Sequence, residues 1–228
     1  MRHASSTLLA LLIATPLLAG TRQVELSLPI RSKLALSGHE KLYLGPFVRE
    51  ISKDEAAADL KFDVATEFER YLRRLLRREG KFTMIPSVEG LRVTTTDPLA
   101  LAKDTVFWRQ LGEQTSADYI VAGSIDFQIQ DSTQPKTESY ESAIDGRTYY
   151  RQVMVEQTGF AYDIMLNIYD ARTGSLVFSE PLKDTKQIEE RKFDEFTGMF
   201  QNLFALENQL IGIFVPRTVK SRRVLITR

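Results

Sequence analysis

Apolar residues recur at two different periods along this chain, and the change of period separates strands from helices. Gln23 to Leu36 alternates polar and apolar residues, an extended lead-in with Pro29 as a break. Lys41 to Val48 predicts a first buried strand ending in a turn at Gly45-Pro46. From about Lys53 to Glu79 the period lengthens: Leu60, Val64, Phe68, Leu72, Leu75 and Leu76 fall three or four apart, and Gly80 stops the helix they define. Lys81 to Ile85 is short and β-like, and Pro86 closes it.

Ser87 to Thr96 reads as loop, and Thr96-Asp97-Pro98 opens a second helix running to about Gln114. Between Ala117 and Asp131 the residues Tyr119, Val121, Gly123, Ile125, Phe127 and Ile129 share one face of a strand. Asp126, Gln128 and Gln130 take the other, so one side faces a core. Ser132 to Gly146 is polar and turn-rich, a hairpin tip or a mobile loop, and Thr148 to Tyr169 resumes the alternation as two strand segments or one bent at Gly159. Asp170-Ala171-Arg172-Thr173-Gly174 is a tight connection into a strand beginning at Ser175. Phe193, Phe196, Phe200, Leu203, Leu210 and Phe214 mark a last amphipathic helix before Pro216, and Arg222 to Thr227 a final strand. This order predicts an α/β sandwich, one mixed sheet packed with about three helices, in a single domain over 41–228 that follows the lead-in at 21–40.

The first twenty residues belong to a different physics. Arg2 and His3 precede a polar step and an apolar run from Leu8 to Leu18, which is the order of a secretory signal over 1–20 and too short to span a bilayer comfortably. Its end, Leu17-Leu18-Ala19-Gly20, has the form of a bacterial lipobox, yet Thr21 stands where the lipid-bearing thiol would be. The expected location is the periplasm, associated with the outer membrane without a lipidation cysteine.

Composition then narrows the chemistry. The 228 residues hold 30 Lys and Arg against 30 Asp and Glu, two histidines and no cysteine. Thiolate metal sites, disulfides and a cysteine nucleophile are thereby removed, and a formal charge of zero argues against a dedicated nucleic-acid binder. No P-loop, dinucleotide-binding glycine pattern or metal-spaced cluster is present, so no cofactor and no metal is expected. Asp126 and Asp163 could face the same side of neighbouring strands, but that is the solvent side of a half-polar sheet. His39 next to Glu40 has no nucleophile elbow to serve. Catalytic residues are therefore not expected, and the reading is of a non-enzyme.

Three stretches together resemble a group of bacterial envelope proteins. Trp108-Arg109-Gln110-Leu111-Gly112-Glu113 leads into Ala117 to Ile125. Ile164 to Tyr169 leads through Asp170-Ala171-Arg172-Thr173-Gly174 to Leu176-Val177-Phe178. Lys41 to Phe47 ends in a Pro-Phe pair. In this order, over about Lys41 to Val215, they are similar to the family that includes the curli-secretion subunit CsgG, the penicillin-binding-protein activator LpoB, a flagellar-ring accessory protein and the N-terminal domain of TolB. The resemblance implies a periplasmic domain that docks or oligomerises and has no active site. It departs from the family at Thr21 and in lacking a clear pair of membrane-spanning hairpins.

Two regions carry contact chemistry. Arg70, Arg73, Arg74, Arg77 and Arg78 gather on one flank of the first helix, and Arg217, Lys220, Arg222, Arg223 and Arg228 make the tail basic. Either set is an ordinary solvated face, or, with Arg222 and Arg223 beside the helix arginines, a dock for anionic lipid or another polyanion. Tyr140, Tyr149 and Tyr150 mark the hairpin tip either as an ordinary mobile surface hairpin or as a partner loop. Phe193, Phe196, Phe200, Phe204 and Phe214 are core residues of the last helix, with Phe204 off the main stripe and suited to self-association. The expected function is a scaffold or accessory role among envelope proteins, alone or as a homo-oligomer; the alternative is a subunit of an outer-membrane secretion channel.

Overall fold

A computed structural model describes residues 20–49, 62–80, 82–188 and 195–227. The signal segment 1–19, the whole Lys53 to Leu60 stretch, Lys81, Phe193 and Arg228 lie outside the described residues. The chain divides into two compact units, residues up to 30 with those from 217 onward, and residues 31–216.

The smaller unit is a two-stranded antiparallel ribbon, β1 (Gly20–Ile30) against β7 (Arg217–Thr227), in register from Gly20 opposite Thr227 to Ile30 opposite Arg217. Pro29 does not break the lead-in; it lies inside β1 opposite Thr218. Residues 217–227, expected within the domain that starts at 41, thus pair with residues 20–30.

The larger unit is a mixed α/β domain. Its sheet has the order β3-β2-β4-β5-β6, from β2 (Lys41–Arg49), β3 (Thr83–Met84), β4 (Tyr119–Glu141), β5 (Thr148–Asp170) and β6 (Leu176–Ile188). Strand β2 is parallel to β3 and β4, and β4, β5 and β6 form an antiparallel meander. The turn expected at Gly45-Pro46 is instead an irregularity within β2: pairing with β4 steps over these residues between Leu44 and Phe47, and the strand continues to Arg49.

The first helix, α1 (Val64–Glu79), starts later than its apolar stripe suggests, because the Asp63 carboxylate accepts the Ala65 amide and caps it there. Val64, Phe68, Tyr71, Leu72, Leu75 and Leu76 are its buried face. The single helix expected over 98–114 is two, α2 (Pro98–Lys103) and α3 (Thr105–Thr115). Asp97 caps the first, as the Thr-Asp-Pro sequence implies. Asp104 interrupts the pair by accepting the Phe107 amide at 2.9 Å, a second N-cap inside the run. The last helix is α4 (Glu195–Phe214).

Both faces of the sheet are covered where it is widest, which corrects the expectation of one buried side. Val121, Ile125, Phe127, Phe160, Tyr162, Ile164, Leu166 and Ile168 pack with α1 and α4 on one face. Ile120, Ala122, Tyr43 and Tyr169 pack with Leu101, Phe107, Trp108 and Leu111 of α2 and α3 on the other. Burying each of the Leu, Ile, Val and Phe side chains contributes about 1.5–3 kcal/mol. Trp108 stacks on Tyr169 at 4.1 Å between ring centroids, and its indole N–H donates to the Leu101 carbonyl at 2.8 Å.

Polar bonds set the pose of α4. The Tyr162 hydroxyl donates to the Met199 carbonyl at 3.2 Å and the Asn202 amide to the Phe160 carbonyl at 3.1 Å, both in the interior. At the far end of the sheet the expected tight connection is present. The Asp170 carboxylate accepts the Arg172 and Thr173 amides and the Thr173 hydroxyl. Gly174 takes φ 73°, with space for no Cβ because the Thr105 carbonyl oxygen would lie 2.0 Å from it.

Candidate functional site

The structure sorts the five helix arginines into two kinds. Arg73 is built into the fold: its guanidinium donates to the Ile85 carbonyl at 2.6 Å, to Ser87 Oγ at 2.9 Å and to Glu69 at 3.1 Å, tying α1 to the segment after β3. Arg70 pairs with Glu67, and Arg78 bridges Glu79 and Glu207 of α4. Arg74 and Arg77 are exposed and make no ion pair among the described residues. Arg222 and Arg223 belong to the other unit, in register with Glu25 and Val24 of β1, where Lys220 also pairs with Glu25.

The tyrosines lie on a feature that sequence periodicity missed. Of the stretch Ser132 to Gly146 only residues 142–146 belong to the tip, the rest being strand, and β5 is one continuous strand through Gly159. Strands β4 and β5 are 23 residues each and stay paired from Tyr119 opposite Asp170 to Glu141 opposite Thr148. Among the described residues, β6 accompanies β5 as far as Thr158 and β2 accompanies β4 as far as Ile125. Beyond Asp131 and Thr158 the two strands project as a ribbon about 35 Å long at the usual strand rise.

Residues 131–137 and 139–141 of the arm are exposed, and the returning strand is exposed or half-exposed to Gly159. Near the end, Tyr140 and Tyr149 sit opposite each other with centroids 6.0 Å apart. The Arg151 guanidinium lies 5.7 Å from the Tyr140 ring, and Tyr150 turns to the other face, 74% exposed. The Tyr149 hydroxyl donates to Asp145 at 2.7 Å, which holds the Asp145 carboxyl below the ordinary range and the Tyr149 phenol above its own. The returning half of the arm is legible as strand from Thr148 on, but its outgoing half, residues 132–141, is not, because neither of its sides is apolar.

A second arrangement joins two features that are far apart in sequence. Phe196, Phe200 and Phe204 run along α4, with Phe196 and Phe200 4.8 Å apart. The Tyr71 ring of α1 lies 6.1 Å from Phe200 and 6.0 Å from Phe204. Here α1 and α4 leave a cleft of about 250 Å³ lined by Tyr71, Arg74, Leu75, Arg78, Phe200 and Phe204. Burial, and then the neighbouring Glu207 carboxylate, raise the Tyr71 phenol far above its usual value, so it remains a neutral donor to Glu207.

The carboxylates considered for catalysis are occupied otherwise. Asp126 and Asp163 face each other across β4 and β5, but Asp126 accepts from the Gln128 amide and Asp163 pairs with Lys183. His39 is exposed, and Glu40 turns to Ser37 and Gly38. Among the described residues no group of three or more His, Asp or Glu is placed to hold a metal ion, and no helix is long and apolar enough to cross a membrane.

Fold and sites together define a class: a mixed α/β domain whose central hairpin is prolonged into a solvent-exposed arm. No family model matches the chain, and no curated protein matches it. Among solved structures it is similar to the hypothetical protein CT253 from Chlamydia trachomatis, with a TM-score of 0.42, 13% identity and coverage of 75% of this chain and 98% of that one. Lipoprotein GNA1162 from Neisseria meningitidis gives 0.39, 11%, 75% and 98% for the same measures. A neuraminyllactose-binding hemagglutinin homolog from Helicobacter pylori gives 0.36, 13%, 80% and 84%. At these scores none of the three carries an argument about function.

Proposed function

We propose that this protein is a non-enzymatic accessory or scaffold of the bacterial cell envelope, similar to the CsgG, LpoB and TolB N-terminal group, and that it works by protein contact. The observation that supports this most is the arm. A two-stranded ribbon in water is marginally stable at best, and this one extends beyond the packed sheet with neither backbone edge paired among the described residues. It adds almost nothing to the core, so its use lies in what it touches. The secretory pattern of residues 1–20 supports the compartment.

The channel alternative would need one face of the arm to be apolar. On β4 one face presents Ser132, Gln134, Lys136 and Glu138 and the other Asp131, Thr133, Pro135 and Thr137. Neither suits lipid, and this favours the scaffold reading. The test is to excise residues 132–157 and close Asp131 to Thr158 with an Asn-Gly turn, then compare cross-linked partners from envelope fractions. Thermal unfolding should stay close to that of the full chain while at least one partner disappears. An unchanged set of partners defeats the proposal, as does a wild-type protein that light scattering finds only as a detergent-requiring ring.

A further inference from the structure

We propose that the cleft between α1 and α4 is a docking site for an acidic peptide segment of a partner protein, one that carries a large apolar side chain beside a carboxylate. Three observations lead there. First, the cleft is apolar where it is concave: Leu75 and Tyr71 form its floor, and Phe200 and Phe204 its wall. Phe204 is 57% exposed on a helix whose other large side chains are mostly buried, an arrangement that leaves apolar surface in water unless something covers it. Second, the volume of about 250 Å³ falls below the usual range for small-molecule pockets and suits one or two side chains, the scale of an interface anchor pocket.

Third, the charge at the rim is positive and uncommitted. Arg78 and Tyr71 already share Glu207, which neutralises that carboxylate beside the cleft. Arg74 lines the cleft and Arg77 follows on the same helix; both are exposed and without an ion pair among the described residues. A carboxylate adjacent to the inserted side chain would find a planar, always-charged fork there. A membrane surface fits less well. The same helices expose Glu79 and hold Glu67, Glu69 and Glu207, which a plane of anionic head groups would repel and a single carboxylate beside Arg74 would not meet.

The site is separate from the arm in sequence and in chemistry, so it extends the docking proposal without depending on which partner the arm meets. The probe is a fluorescein-labelled peptide EELFEE, followed by fluorescence anisotropy against the full chain, with KKLFKK, EESSEE and phosphatidylglycerol vesicles alongside. Saturable binding of EELFEE alone is expected. Arg74→Glu and Phe204→Ser should each weaken it by about tenfold or more, equivalent to about 1.4 kcal/mol. Arg223→Glu in the other unit and excision of the arm should leave it unchanged. Both cleft substitutions are at exposed positions, and circular dichroism verifies that they fold. The proposal is overturned if EELFEE fails to bind, if KKLFKK or EESSEE binds equally well, or if either cleft variant keeps full affinity. Binding to the vesicles in place of the peptide, abolished by Arg74→Glu, would overturn it in favour of a membrane surface.

Discussion

Replacing Gly112 by alanine sets two effects of opposite sign against each other. Gly112 lies inside α3, where alanine is the better helix former by about 1 kcal/mol, so local propensity alone predicts stabilisation. The tertiary setting predicts the reverse. A Cβ at this position would lie 2.0 Å from the Ala171 carbonyl oxygen, 2.6 Å from its carbon and 2.8 Å from its Cβ, at the end of β5. That is short of ordinary van der Waals separation by more than about 1 Å, and the obstacle is backbone, which cannot rotate aside. The helix must lift, and with it Phe107, Trp108 and Leu111 leave their contacts with Tyr43, Ile120 and Tyr169.

Overpacking of this kind costs about 1–3 kcal/mol or more, and a backbone obstacle belongs at the upper end. Subtracting the propensity gain leaves a net destabilisation of about 1–2 kcal/mol, which for a domain of this size lowers Tm by about 2–8 °C. Thermal unfolding followed by circular dichroism measures it, with Glu113→Ala at the exposed neighbouring position as the control for helix propensity. A Gly112→Ala protein as stable as the wild type, or more so, would show that α3 does not sit this close to Ala171, and the reasoning would fail.

Two further predictions concern pH. Burial pushes the Asp170 carboxyl up, but the Thr173 amide and hydroxyl and the Arg172 amide and charge outweigh it, and the group titrates below the ordinary range. Its contribution is therefore present above that range and is lost as pH falls through the folded value. The stability difference between wild type and Asp170→Asn should shrink from neutral pH to about pH 3, and a constant difference would contradict the assignment. At the alkaline end, burial raises the Tyr162 phenol well above its usual value and the Tyr169 phenol to about 12. Raised values favour the protonated, folded form, so stability is complete below the ordinary tyrosine range, about pH 10, and lost above it. Absorbance at 295 nm should show part of the eight tyrosines ionising only as the chain unfolds; all eight titrating reversibly with native circular dichroism retained would refute this.

Much of the fold is legible from residue spacing because the spacing reports a physical face. The stripe Phe68, Leu72, Leu75, Leu76 is the buried side of α1, and Asp97 and Asp170 act through short-range hydrogen bonds that their own sequence neighbourhoods announce. Where the reading failed, a second signal was present but weaker than the one followed. Asp104 looks like a polar residue on a helix surface until its carboxylate is seen to cap the helix that follows. Ile120 and Ala122 are apolar on the face assigned to solvent, which is the mark of a strand buried on both sides, but they cover too few residues to overturn the alternation beyond them. The outgoing half of the arm, residues 132–141, is polar on both sides, and no burial pattern distinguishes such a strand from a loop.

The cleft was hidden for a different reason. Arginine spacing places Arg70 to Arg78 on one flank and phenylalanine spacing places Phe196 to Phe204 on another helix, and nothing local relates the two. Their meeting follows from how α1 and α4 lie on the same face of the sheet, with Tyr71 between them. Once they meet, the flank ceases to be one patch. Arg73 holds Ile85 and Ser87, Arg70 and Arg78 are paired with carboxylates, and the positive charge left to act outward is that of Arg74 and Arg77. A formal charge of zero over the whole chain is therefore compatible with a locally cationic, aromatic-walled surface. What such a surface selects is one carboxylate next to one apolar group, a more specific preference than a row of five arginines implies.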